Sequence, residues 1–386
     1  MKLEWSIIIL NLKRCTCSGS SRSFSITVHS LLKYKSTNIL ENLGTLQRRS
    51  YNTYILKSVV QMYCTARDIS IVFQFDIKYP PRKSNIRRQR AFSPDTPFPC
   101  QDSVPWGRSR EVPTSVHRLR PGDIDVVAAI GDSLVAGSGA LEEFALGAIV
   151  EHRGVSWCAG GDSTWREFLT LPNILKEYNP KLRGYSTGTG EWLTKNARLN
   201  VAFPVASDQD AYKQAKVGHT LSSPDIDVSR DWKMITVFLG ANDLCSASCL
   251  SPVSWSPTAH ARKLARALDY FQTHLPRTII NLIPVLGRYI MPKCLNLALG
   301  NQHKTLRFGG LGYPPNNLQV ASGRYDTRDD FTVVIQPFMK LFNAPLPPRA
   351  PLPLVIHQSY ITHDCFHFSQ KGHALGELDF KGLSRI

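Results

Sequence analysis

Nothing in this 386-residue sequence approaches the roughly 18 consecutive apolar residues that a membrane-spanning helix requires. The short apolar patch Trp5–Leu10 is broken by Glu4 and Asn11, which is thin for a signal peptide. The sequence has no Asn-x-Ser/Thr acceptor, a weak argument against a secreted glycoprotein. Nine cysteines are present, but no Cys-x-x-Cys pair comes with matching histidines, so a zinc site is not expected. Cys245 and Cys249 are close enough for a local disulfide if the chain is secreted and remain thiols in a reducing compartment. No internal repeat is found, and residues 286–322 lack a convincing helical period.

Acidic residues are scarce in one region only. Residues 1–95 hold 16 Lys/Arg against 5 Asp/Glu, whereas the remainder holds 30 against 25. The net charge of +16 is therefore mostly a property of the amino-terminal part. A positive extension can attract phosphate or anionic lipid. Residues 1–95 are read as a basic extension with no assigned fold and 96–386 as the folded domain. Within the extension, Ile71–Phe75 is a strand candidate and Arg82–Arg90 reads as a solvated linker. The candidate site lies in the less basic part, and nucleic acid is not expected as a partner.

What is present organises around Ile124–Gly139. The run Val126–Ile130 has the length and β-branched content of a buried strand and stops at Gly131. Asp132 and Ser133 follow, and Leu134–Ala136 resume apolar character as the start of a helix. A turn of this kind exposes its side chain at the carboxyl edge of a sheet, where ligands of open α/β folds collect. Ser133 is then a candidate nucleophile or, equally well on this stretch alone, a helix N-cap. Further strands are expected at Leu199–Phe203, Met234–Leu239, Thr278–Val285 and Phe331–Ile335. Helices are expected over Trp165–Tyr178, divided by Pro172, and over Thr258–His274, whose apolar residues share one face. Alternating strands and helices predict an α/β fold with a mostly parallel sheet covered on both faces.

Two more polar signals complete the set. Gly240-Ala241-Asn242-Asp243 again follows an apolar strand, and Asp364-Cys365-Phe366-His367 lies near the carboxyl terminus. An aspartate three residues before a histidine can reach Nδ1 and leave Nε2 free to take a proton, as a Ser-His-Asp device requires. An amide such as Asn242 suits a developing oxyanion. Gly161-Asp162-Ser163 repeats the first triplet, but no strand runs into it, so Ser163 reads as a loop residue. His363 and His373 lack a carboxylate three positions earlier and read as solvated or structural. Trp157, Phe366 and Phe368 could line an acyl pocket, although core packing is the commoner fate.

These blocks resemble the SGNH or GDSL family of hydrolases, and within it the phospholipase B repeats. The likeness also rests on Pro113-Thr114-Ser115-Val116-His117, Gly160-Gly161-Asp162, Thr170-Leu171-Pro172-Asn173 and Ser322-Gly323-Arg324-Tyr325-Asp326-Thr327. It covers about residues 98–375. The resemblance implies a three-layer α/β/α domain that hydrolyses acyl esters of phospholipids and lysophospholipids without metal or cofactor. It implies Ser133 as nucleophile, His367 as general base and Asp364 as its orienter, with the Ser133 N–H and the Asn242 amide in the oxyanion hole. It also implies an extracellular or membrane-associated setting, a membrane or micelle surface as partner, and a monomer. One departure stands out: Val205 occupies the place of the glycine whose N–H is the family's third oxyanion donor. That substitution points to an impaired esterase or, in the alternative, to a lipid-binding or scaffolding member of the same fold. A second departure is length, since 286–322 and the tail after Gly372 look shortened, with no carboxyl-terminal helix evident in Glu377–Ile386.

Overall fold

The computed structural model describes residues 85–99, 107–220, 225–243, 257–284, 320, 322–336, 358–364 and 366–378. The chain divides into two units, Met1–Tyr51 and Asn52–Ile386, and every described residue lies in the second. Ile71–Phe75, Cys245, Cys249 and 286–319 lie outside the described residues.

Four strands form one parallel sheet in the order β1 (Val126–Gly131), β2 (Lys233–Phe238), β3 (Thr278–Leu282) and β4 (Phe331–Ile335). The register sets Gly131 of β1 opposite Phe238 of β2, so the turns that follow these two strands leave the sheet at the same level. The other edge of β1 is not bare. Val127 N–H donates to the Arg183 carbonyl and Ala129 N–H to the Leu199 carbonyl, which makes two isolated parallel bridges. The expected strand over Leu199–Phe203 runs along this edge, with one bridge at Asn200 and bonds from the Val201 N–H to the Ala129 carbonyl and from the Phe203 N–H to the Gly131 carbonyl.

Side chains on successive strand residues point to opposite faces. Ile130, Ile235, Val237, Ile280, Leu282, Phe331 and Val333 join one core, packed under α3 (Ala211–Thr220) and α4 (Pro257–His274). Val127, Met234 and Ile279 point the other way, onto Leu171 and Leu175 of α2 (Leu171–Tyr178). Ala129 and Phe238 share that second face with Trp157 and with Leu134–Ala136 of α1 (Ser133–Ala136). The result is a helix–sheet–helix sandwich, as the alternation of elements implies.

Two helices differ from expectation. The Trp165–Tyr178 stretch is helical only from Leu171, because Thr170 caps it and Pro172 occupies the first turn, where a missing N–H is harmless. The tail holds a helix, α5 (Gln370–Leu378), which extends past Gly372. Gly372 is required there, since a Cβ would lie 2.0 Å from the Tyr360 carbonyl oxygen.

The reading of Arg82–Arg90 as a solvated linker is corrected for its described part. Arg87 Nε donates to the Ile361 carbonyl at 2.9 Å, and Arg88 reaches the Leu141 carbonyl. Gln89 N–H donates to Gln370 Oε1 at 2.5 Å, while Gln89 Oε1 accepts from Leu169 N–H at 2.9 Å. Phe92, tilted, and Phe98, edge-on, then pack on Trp165, each 5.3 Å away between ring centroids. The docked chain thus begins well before residue 96.

Candidate active site

The Gly131-Asp132-Ser133 turn behaves as a strand-to-helix elbow. Asp132 is the N-cap of α1, with Oδ1 accepting from Leu134 N–H at 2.9 Å. The N-cap alternative for Ser133 is thereby overturned, because the preceding carboxylate fills that role and Ser133 becomes the first helical residue. Its N–H, like any at the first helical position, has no acceptor within the helix. Gly131 leaves no room for a side chain: a Cβ there would lie 2.4 Å from Val135 Cγ2. Asp132 itself is buried, and its Oδ2 has no partner. Burial pushes its carboxyl up to about 7, against the pull of the Leu134 N–H and of His367. That pull places His367 within electrostatic reach of the elbow.

The carboxyl-terminal motif is tightly held. Asp364 Oδ2 lies 2.5 Å from His367 Nδ1, while Oδ1 accepts from the N–H groups of Phe366 (2.9 Å) and His367 (3.1 Å) and from the Thr362 hydroxyl. Burial opposes ionisation of Asp364, but the facing imidazole and these donors overrule it and hold the carboxyl well below the usual range. With Nδ1 engaged, Nε2 is the remaining basic nitrogen of His367. Phe366 and Phe368, on either side of it, pack against the cluster that contains Leu134, Trp157 and Ala241. Gln370 N–H bonds the Ala140 carbonyl at 2.9 Å, fastening the loop to the exit of α1. The loop near the chain's end therefore packs against the segment that follows β1. No hydrogen bond among the described residues joins the Ser133 hydroxyl to His367.

Asn242 is buried just beyond β2, and its Nδ2 donates to the Ala206 carbonyl at 2.9 Å. Ala206 closes a turn with Phe203 (N···O 3.2 Å), in which Pro204 and Val205 are the central residues. Val205 has φ +63°, so this is the geometry of a type II turn, whose third position ordinarily takes glycine or asparagine. The backbone has kept the glycine conformation around a β-branched residue, at a cost on the order of 1–3 kcal/mol. Behind this turn, Arg153 is fully buried and donates to the carbonyls of Gly190 (2.7 Å), Asn200 (2.9 Å) and Ala202 (2.6 Å) and to Glu151. Arg153 anchors the second block, residues 200–206, from within, and its only cue in the sequence is an arginine inside an apolar loop.

The remaining candidates sort as structural. Ser163 is exposed on a loop with φ +54°. His363 Nε2 lies 2.9 Å from Arg87 Nη1 and 3.8 Å from Glu143 Oε2. His373 is buried, accepts from Trp157 N–H at 3.2 Å, and is pushed down to about 3 by burial and by the charges of His367 and His152. Trp157 is 3% exposed, a core residue whose indole donates to the Leu134 carbonyl.

The chain is 35% identical over 340 residues to mouse "Phospholipase B1, membrane-associated", covering 81% of this chain and 22% of the relative. The rat protein of that name is 36% identical over 361 residues, 87% of this chain and 23% of the relative. The human one is 38% identical over 301 residues, 71% and 20%. The chain thus spans about a fifth of the length of these relatives. A crystal structure of the psychrotrophic esterase EstA from Pseudoalteromonas sp. shows a TM-score of 0.35 at 10% identity, covering 68% of this chain and 97% of EstA. The family model described as GDSL-like lipase/acylhydrolase matches residues 127–375, from within β1 to within α5. With well over half the chain inside that match, the protein belongs to the GDSL-like lipase/acylhydrolase family.

Proposed function

We propose that this chain is a serine esterase acting on acyl esters of phospholipids and lysophospholipids. Ser133 Oγ attacks the ester carbonyl carbon, and His367 Nε2 accepts the hydroxyl proton as the bond forms. The imidazolium, oriented and stabilised by Asp364, then returns that proton to the departing alcohol oxygen. Water, activated by the same nitrogen, attacks the acyl-Ser133 ester and releases the fatty acid. The N–H groups of Ser133 and Val205 and the amide of Asn242 are the donors for the oxyanion. The observation that supports this reading is the 2.5 Å Asp364–His367 pair, on a loop fastened to the exit of α1 by the Gln370 N–H on the Ala140 carbonyl. The lipid substrate class, and a membrane or micelle surface as the place of action, come from the likeness to membrane-associated phospholipase B1.

Val205 favours a second reading. Its side chain adds bulk in the turn beside the proposed acyl carbon, which suits an impaired esterase or a lipid-binding member of the family that no longer turns over. A fluorophosphonate probe separates the two, because covalent labelling needs an activated serine. The esterase reading expects Ser133 to be labelled and fatty acid to be released from lysophosphatidylcholine, with both lost in Ser133→Ala. Lysophospholipid hydrolysis that survives Ser133→Ala would refute the assignment of the nucleophile.

A further inference from the structure

Behind Asn242 lies a second polar cluster that the proposed chemistry does not use. Asp243, the next residue, is buried and accepts from the Asp208 N–H with both oxygens, at 3.0 and 3.3 Å. Each carboxyl acts on the other, Asp208 opposing the ionisation of Asp243 and Asp243 favouring that of Asp208. Asp208, equally buried, faces α4, where His260 Nδ1 lies 3.2 Å and Lys263 Nζ 2.8 Å from its oxygens. Those two residues are three apart and share one helix face. The neighbouring Asp210 is turned to the Ser207 N–H and hydroxyl.

We propose that Asp208 and Asp243 hold one proton between them, and that this pair is a positioning device for the oxyanion side of the site. Asn242 and Asp243 grip the second block at consecutive points, the amide on the Ala206 carbonyl and the carboxyl on the Asp208 N–H. The stitch joins the turn carrying Val205 to the turn after β2. Two neighbouring buried carboxylates disfavour each other's ionisation, and the cationic side chains of the cluster face only one of them. Asp208 faces Lys263 and His260 and is the ionised member, held low by those contacts against burial. Asp243 is the acid, pushed up to about 8 by burial and by Asp208. Its hydroxyl donates to the Asp208 carboxylate. On alkalisation that proton passes to solvent, the donor is lost, and two like charges push the turns apart.

The effect on hydrolysis rests on the esterase reading above; the proton itself does not. The folded form keeps a proton that unfolded Asp243 loses near its ordinary pKa of 3.8. The pair's contribution to stability therefore falls as pH rises from about 4 to about 8, and is level above that. In the full chain, thermal unfolding of Asp243→Asn is compared with the wild type from pH 5 to 9.5. Asparagine keeps a donor toward Asp208 but cannot titrate. The variant is expected to gain on the wild type by up to about tenfold in folding equilibrium constant per pH unit up to pH 8, then run parallel to it. A difference curve that is flat across the range overturns the proposal, whether or not the protein hydrolyses esters. If Asp243→Asn does not fold, Asp208→Asn serves instead. Removing the like charge should shrink the wild-type decline between pH 5 and 8, and an undiminished decline counts against the pair. If ester hydrolysis is observed, the wild-type kcat should fall above pH 8 and the Asp243→Asn profile should stay flat. Asp243→Ala should lower kcat roughly tenfold with KM little changed, as for a loosened oxyanion donor. An alkaline limb that persists in Asp243→Asn would assign that limb elsewhere and remove the functional half of the proposal.

Discussion

Asp364 is oriented by a hydroxyl, two backbone N–H groups and an imidazole, whereas Val205, on the proposed oxyanion side, is held at φ +63° against the preference of its own side chain. One wall of the site is over-determined and the other is strained. The strained wall survives because it is fastened from behind, by Arg153 on the carbonyls of Asn200 and Ala202 and by Asn242 on that of Ala206. A turn shape that favours glycine is thus held around a β-branched residue by bonds from outside the turn.

The contrast can be broken hardest on the imidazole side. Asp364→Asn keeps the size of the side chain but removes the charge that fixes the His367 tautomer; ester turnover should fall about 10⁴-fold, read as kcat on a soluble ester. On the other wall, Arg153→Met should cost about 3–5 kcal/mol in denaturant unfolding, since it leaves the Glu151 carboxylate buried without its partner. Changing Glu151 to Gln in the same chain should recover part of that loss.

Acid should act through His373. Its imidazole is pushed down to about 3 in the fold from an ordinary 6.5, so the neutral form stabilises the native state above pH 6.5. That contribution is lost as pH falls, by up to about 1.4 kcal/mol per pH unit down to pH 3. A urea midpoint that stays constant between pH 6.5 and 4 would contradict it. The smallest effect sharpens the comparison. Val205→Gly removes the turn strain at the expense of backbone entropy, for a net gain of about 1 kcal/mol, or roughly 2–4 °C in melting temperature. It should also raise ester turnover by relieving bulk, and an unchanged rate would show that Val205 does not hinder the substrate.

The sheet was readable because β1, β2, β3 and β4 are short, β-branched, apolar runs. The order Ser133, Asn242, Asp364, His367 placed the candidate site because each signal follows a strand or lies in the last loop. Leu199–Phe203 was legible as an extended run, and it bonds to the edge of β1 at Leu199, Val201 and Phe203 before Pro204 ends it. α2 was misjudged because Pro172 was read as a breaker when it is a first-turn residue. α5 was missed because Gly372 and Gly376 lower helix propensity, while the demand for glycine at 372 comes from Tyr360, outside the helix. Arg153 and the Asp208–Asp243 pair left no periodic trace, since their partners are backbone carbonyls and groups some 35 to 50 positions away.

The docked stretch around Gln89 carries a practical warning. Composition sets the border of the folded part near residue 96, and a shortened chain starting there would look reasonable. It would lose the side chain that bridges Gln370 to Leu169 and the aromatic ring of Phe92 that covers Trp165. It would also lose Arg87, which grips the Ile361 carbonyl three residues before Asp364. Such a truncation would leave every proposed catalytic group in place while removing the brace that keeps the histidine loop seated.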